Sequence, residues 1–76
     1  MLPAQARAAR AMLQLKTTEV AALAGVAPNS VTRVEQGSVA VRGPNASTVG
    51  AIRRLYESRG IEFLDEGHPG LRLRND

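Results

Sequence analysis

The chain has 76 residues, carries a formal net charge of +3 and contains no cysteine. Its length indicates one small domain, the missing cysteines exclude a disulfide framework or a thiolate metal site, and the positive charge favours a polyanionic partner. The longest apolar run, residues 20–27, is too short to cross a bilayer and no signal-peptide pattern is present, so we expect a cytoplasmic protein without a membrane partner.

The first predicted helix spans residues 3–14 and opens with a proline, which is tolerated in a first turn. Ala6, Ala9 and Leu13 follow one another at helical spacing and form a narrow inward stripe. Small side chains on such a stripe favour close packing against neighbouring helices. Arg7 lies off the stripe, and we expect it to be solvated rather than to contact a phosphate.

A second helical pattern begins at Thr17 and ends before Gly25. The hydroxyl of Thr17 suits a helix cap. The sequence favours this role and a phosphate contact equally. Ala21 has a small side chain where this helix approaches the next, which permits close packing. Gly25 suits the left-handed position that ends a helix. The residues expected to face inward are Val20, Leu23 and Ala24.

A third pattern begins with Pro28, whose fixed φ suits the first helical position. Val31 and Val34, three residues apart, form its inward stripe. The three-residue connection to the preceding helix is typical of a helix-turn-helix. The polar residues left on the outward side are types that reach base edges in a DNA major groove, where arginine pairs with guanine and asparagine with adenine. They are Asn29, Ser30, Thr32 and Arg33.

The chain resembles the helix-turn-helix of the phage repressor and Cro family, also called the XRE family, in the combined spacing of Ala21, Gly25, Val31, Val34-Glu35 and Gly37. The resemblance covers residues 3 to about 59 and implies a small cytoplasmic DNA-binding protein, usually dimeric. It makes residues 28–35 the recognition helix. The chain departs from the family pattern at residue 17, often glutamine but here threonine, and at residue 28, often a polar base reader but here proline.

The same resemblance implies roles for residues around the recognition helix. Thr17 and Gln36 fall at positions that contact phosphates. Arg42, in the loop before the next helix, lies where the family follows the sugar-phosphate backbone, with solvent exposure as the alternative. Arg10 and Glu35 are expected to form an ion pair that holds the angle of the helix-turn-helix more than it adds stability.

The fourth predicted helix starts at Pro44 and Asn45, where asparagine suits the N-cap, and Gly60 ends it. Arg53 and Arg54 lie on its outer side and are expected to be solvated. An aromatic residue on an apolar helical face is usually core, so the tyrosine of this helix is assigned to packing rather than to a functional hydroxyl. The inward stripe consists of Val49, Ile52, Leu55 and Tyr56.

Beyond residue 60 apolar and polar residues alternate and no longer recur at helical spacing, which predicts a β-hairpin within residues 61–76. Glu62 is expected opposite Arg72 or Arg74. An isolated hairpin is marginal in water, so this one has to pack on the helices, and its free edge is available to a second copy of the chain. The residues expected to face the helices are Ile61, Phe63, Leu71 and Leu73.

Catalysis has little support in the sequence. His68, the single histidine, lies in a turn rich in glycine and proline, with no cysteine or second histidine for a metal site. No paired-carboxylate, phosphate-loop or nucleophile motif appears. We therefore expect no enzyme activity, no metal and no cofactor.

The charge of the chain lies on its helical part. Residues 1–60 contain eight basic and three acidic residues, whereas residues 61–76 contain two basic and four acidic ones. We predict a mainly α, four-helix repressor/Cro-like helix-turn-helix domain over 1–60, followed by a hairpin at 61–76 for packing or dimerisation. The predicted function is sequence-specific binding of double-stranded DNA by a homodimer that regulates transcription. The alternative is a protein-binding module on this scaffold, such as an anti-activator or antitoxin.

Overall fold

In a computed structural model of the protein, four described helices precede a two-stranded antiparallel hairpin, as the sequence predicts. The structure describes residues 1–37, 46–64 and 70–74, so the predictions for Arg42, Pro44, Asn45 and His68 lie outside the described residues. None of the described helices is long and apolar enough to cross a membrane. The elements are α1 (Pro3–Leu13), α2 (Thr17–Ala24), α3 (Pro28–Gln36), α4 (Ala46–Ser58), β1 (Ile61–Leu64) and β2 (Gly70–Leu73).

Helix α1 is capped at its start by one of its own side chains. The backbone N–H of Leu2 donates to Oε1 of Gln5 at 2.7 Å, so the first turn closes on itself. The helix ends at Leu13, one residue earlier than predicted, because Gln14 adopts a left-handed φ of 57°. The apolar stripe is as expected, with Ala6 and Ala9 fully buried.

Helix α2 begins differently from the prediction. The N-cap is Lys16, whose backbone N–H donates to the Glu19 carboxylate at 2.9 Å, and Thr17 is the first helical residue. The predicted capping role of Thr17 is therefore wrong, because Thr17 stands one position beyond the cap. The helix ends as expected at Gly25, with a left-handed φ of 72°.

Helix α3 begins at Pro28 and extends to Gln36, one residue beyond the predicted end. Gly37 terminates it with a left-handed φ of 59°. A Cβ atom at this glycine would lie 2.6 Å from Cγ of Pro3, which is closer than two carbon atoms can approach. Glycine therefore both ends α3 and lets the start of α1 pack against that end.

Two residues expected to face inward are instead exposed. Leu23 is 49% exposed, because the buried side of α2 is set by Val20 and Ala21 and Leu23 points away from it. Leu73 is 43% exposed, although it lies directly opposite the buried Ile61. Strand β1 packs on α4 while β2 packs on α1, and the end of β2 is left partly uncovered. The described core consists of Ala6, Ala9, Val20, Ala21, Val31, Val34, Ile52, Tyr56, Ile61 and Phe63.

The hairpin register settles which arginine faces Glu62. Glu62 pairs with Arg72 across the strands, and their side chains form an exposed ion pair with an Nε to Oε2 distance of 2.6 Å. The hydrogen bond from Arg72 lowers the pKa of the Glu62 carboxyl. Arg74 instead donates its backbone N–H to the carbonyl of Gly60 at 2.6 Å, which joins the end of β2 to the end of α4.

Candidate nucleic-acid interface

Helix α3 has one buried apolar side and one exposed polar side. Val31 and Val34 are buried, as the sequence predicts. The predicted contact residues on the opposite side are brought together because they follow one another at helical spacing, within about one third of the helix circumference. Ser30 lies beside this stripe and is half-buried. The exposed stripe, called here the α3 polar face, consists of Asn29, Thr32, Arg33 and Gln36.

Thr17 lies in a different element from the α3 polar face. It is the first residue of α2 and is half-buried. The backbone N–H groups of a first helical turn lack partners within the helix and favour anions. Ala21 and Gly25 hold the connection to α3, since Ala21 is buried and its carbonyl accepts the N–H groups of both Gly25 and Val26.

The ion pair predicted between Arg10 and Glu35 is present. Arg10 Nε donates to Glu35 Oε2 at 2.6 Å and Arg10 Nη2 donates to Glu35 Oε1 at 2.9 Å, so the pair is bidentate. This hydrogen bonding raises the pKa of the Arg10 guanidinium. A third nitrogen, Nη1, donates to the carbonyl of Leu15 at 3.2 Å in the connection between α1 and α2. Arg10 thus joins α1, the following connection and α3.

Arg7 is exposed, as the sequence predicts, and it also contacts α3. Its Nη1 donates to the backbone carbonyl of Glu35. Carbonyls in the last turn of a helix lack partners within the helix, and a cation there also interacts favourably with the helix dipole. Both arginines of α1 therefore hold the C-terminal end of α3. We call this set of contacts, made by Arg7, Arg10 and Glu35, the α1–α3 junction.

Tyr56 lies in the core near the α1–α3 junction. The residue is fully buried, and its hydroxyl has no hydrogen-bond partner among the described residues. Burial, with a smaller contribution from the Glu35 carboxylate, raises the pKa of Tyr56 to about 12. Its ring lies 6.5 Å from that of Phe63, measured between centroids. These surroundings agree with the packing role assigned from the sequence.

Two contacts between the helices and the hairpin were not predicted. Arg53 was expected to be solvated, but its Nε lies 3.3 Å from Oε2 of Glu57 and its guanidinium lies 5.1 Å from the ring centroid of Phe63. The second contact is made by Gln5, which is only 3% exposed and whose Nε2 donates to the carbonyl of Gly70 at 2.8 Å. A sequence signal for Gln5 did exist, because Gln5 and the buried Ala9 are four residues apart and share one face of α1.

The described residues do not bring three metal-ligating His, Asp or Glu side chains together. No protein-family model and no curated protein sequence matches the chain. Any functional proposal therefore rests on the geometry of the α3 polar face, the charge of the chain and the motif spacing.

Proposed function

We propose that the protein binds double-stranded DNA sequence-specifically and regulates transcription in the cytoplasm, as a repressor/Cro-type (XRE) protein. The observation that carries the proposal is the α3 polar face, which lies opposite the buried Val31 and Val34 on a short helix held by a tight turn. A major groove admits one such helix. The net positive charge of the helical part supports a polyanionic partner.

In the proposed mechanism α3 enters the major groove and reads bases. Arg33 and Asn29 are the leading base contacts, because guanidinium and carboxamide groups form bidentate hydrogen bonds with guanine and adenine. Ser30 and Thr32 offer single hydroxyl contacts and contribute less. Pro28, at the start of the helix, has no side-chain donor or acceptor and contributes no hydrogen-bonded contact.

Phosphate contacts hold the register in this mechanism. Thr17 at the start of α2 and Gln36 at the end of α3 take this role, together with Arg42, which lies in the sequence between α3 and α4. Such contacts add affinity without sequence information, and the positively charged one, from Arg42, makes binding depend on salt. The α1–α3 junction keeps α3 at a constant angle to the rest of the domain, so that base and phosphate contacts form together.

We further propose that the protein acts as a homodimer. One copy of α3 contacts only one half-site. In a two-fold dimer the two copies of α3 contact both half-sites of an inverted repeat. The hairpin is the proposed dimer element, because each of its two described strands pairs with only one neighbour and presents an edge.

In vitro selection from random duplexes at physiological salt tests the proposal, because non-specific binding is strongly weakened there. We expect enrichment of an inverted repeat whose half-sites lie about 34 Å apart, or one helical turn. Enrichment of a lone half-site would keep the DNA function and reject the dimer. No enrichment would reject DNA reading and favour the protein-binding module.

A matched set of variants then separates base contacts from phosphate contacts. Arg33→Ala should cost ~1–3 kcal/mol on the selected sequence and relax specificity at one base pair. Gln36→Ala should weaken selected and random duplexes alike. Arg54→Ala is the control for Arg33→Ala, because it also removes one positive charge, but from an exposed position on α4. An equal loss on selected and random DNA for Arg33→Ala would contradict its role in base reading.

A further inference from the structure

Gln5 connects the hairpin to the first turn of α1. Its Nε2 donates to the carbonyl of Gly70 at 2.8 Å and lies 3.4 Å from the carbonyl of Leu64, so it reaches both strands. Its Oε1 accepts the N–H of Leu2. The residue is 3% exposed, and water cannot easily replace these contacts. The amide oxygen of Gln5 thus binds the start of α1, and the amide nitrogen binds the hairpin.

The opposite side of α1 contacts α3. Pro3, Arg7 and Arg10 recur at helical spacing on one side of α1, while Gln5 projects from the other side. Pro3 packs against Gly37 at the end of α3, and both arginines bind Glu35. Helix α1 therefore lies between the hairpin and the C-terminal end of α3, with polar contacts on both sides.

We infer that Gln5 is a positioning residue, which fastens the hairpin to α1 and thereby keeps the α1–α3 junction and the C-terminal end of α3 in place. The hairpin is marginal without the helices, and α1 is capped by the same side chain that holds the hairpin. Losing the hairpin contact frees the first turn of α1 to shift, and packed interfaces transmit such shifts. The effect on DNA reading rests on the proposed function, whereas the structural coupling does not.

Two substitutions separate the two halves of the Gln5 amide. Gln5→Glu keeps an oxygen that accepts the Leu2 N–H but replaces the donor that faces the hairpin carbonyls. Gln5→Met has a similar length and removes both contacts. Arg72→Gln is the control, because it breaks the exposed ion pair with Glu62 on the side of the hairpin away from Gln5.

The main measurement is the ¹H–¹⁵N NMR spectrum of each variant of the full chain. We expect both Gln5 variants to shift the Arg10 Nε–H signal and the Gly37 amide signal, and Arg72→Gln to leave them in place. A shift in Gln5→Met with none in Gln5→Glu would overturn the inference, because Gln5 would then act only as a helix cap. Loss of folding in both Gln5 variants, judged by circular dichroism, would also overturn it in favour of a general role in stability.

Affinity for the selected duplex provides the second readout. Gln5→Glu should weaken binding to the selected sequence about tenfold, the equivalent of one good hydrogen bond, and leave binding to random duplexes nearly unchanged. Equal weakening on both duplexes would contradict positioning of α3. If the unsubstituted protein selects no sequence, the proposed DNA function fails while the NMR result still decides the coupling through Gln5.

Discussion

The α1–α3 junction and the hairpin each contain an arginine–glutamate pair with the same closest distance, 2.6 Å, but their surroundings differ. The Glu35 side chain is 8% exposed and Arg10 is 28% exposed, whereas Glu62 is 38% and Arg72 is 67% exposed. Water screens the outer pair and competes for its hydrogen bonds, so that pair contributes little. The inner pair would leave a charge poorly solvated if one partner were lost. Distance alone therefore does not rank the two pairs.

Apart from the hydrogen bonds of Gln5, the hairpin is held to the helices by apolar burial rather than by its ion pair. Ile61 is 1% exposed and Phe63 is 9% exposed, and β1 packs on α4. Burying such side chains stabilises a fold by about 1.5–3 kcal/mol each. The α1–α3 junction thus depends on charge and hydrogen bonding, whereas the hairpin depends mainly on its inward face.

Removing the apolar contact of the hairpin should give the largest effect. We expect Ile61→Ala to lower the free energy of unfolding by about 3–4 kcal/mol, through lost burial and a residual cavity. Urea unfolding followed by circular dichroism measures it. Leu73→Ala is the matched control, because Leu73 lies directly opposite Ile61 but is 43% exposed and should lose less than about 1 kcal/mol. Equal losses would mean that the inward face does not hold the hairpin.

Breaking the inner ion pair should have the next largest effect. Glu35→Ala should lower the free energy of unfolding by about 2–3 kcal/mol, below the usual range for a buried pair because Arg10 is partly in water. Affinity for the selected duplex should fall at the same time, since α3 loses its link to α1. Melting curves and DNA titrations measure both. Unchanged melting with lost DNA binding would contradict the structural role of Glu35.

Removing the hydroxyl of Tyr56, which lies between the α1–α3 junction and the hairpin, should stabilise the protein. Tyr56→Phe deletes a buried polar atom without a described partner, and we expect a gain of about 1 kcal/mol in the free energy of unfolding. Urea unfolding at neutral pH checks this. A loss of similar size would show that the hydroxyl is hydrogen-bonded in solution, for example to a buried water.

Tyr56 should also make the free energy of unfolding depend on pH in the alkaline range. The folded-state pKa is raised from 10.0 to about 12, so the native state holds the phenolic proton more tightly than the unfolded state. The free energy of unfolding therefore does not change with the protonation of this group below pH 10, and it falls as the pH rises from 10 toward about 12. Phenolate absorbance reports Tyr56 alone, because the chain has one tyrosine and no tryptophan. Ordinary titration near pH 10, while the protein remains folded, would refute the burial effect.

The outer ion pair should give the smallest effect. Glu62→Gln should leave the urea midpoint almost unchanged, because both partners are exposed. The lowered pKa of Glu62 means that its small contribution is present at neutral pH and is lost as the pH falls through the folded-state value. NMR titration of Glu62 should show the pKa rising toward its ordinary value in Arg72→Gln. A destabilisation as large as that of Glu35→Ala would remove the contrast between the two pairs.

The predictions from local sequence features match the structure closely. Gly25 ends α2 in a left-handed conformation, and Pro28 begins α3. Local backbone preferences act within a few residues, so they can be read without knowing the fold. The alternation beyond residue 60 likewise predicts the hairpin. The residues assigned to DNA contact stay predictions, and Arg42 lies outside the described residues.

Only the tertiary structure decided which partners three of the long polar side chains find. Arg7, Arg53 and Gln5 reach residues on other elements, and nothing within a few positions of each residue specifies those partners. The sequence does not predict the exposure of Leu23 either, because which side of a short helix is buried depends on the neighbouring elements that cover it. The sequence by itself determined the order of the helices, their extents to within a residue or two and the polar face of α3, since these follow from short-range preferences and periodicity. The contacts that join the hairpin to α1, and α1 to α3, depend on how distant segments pack.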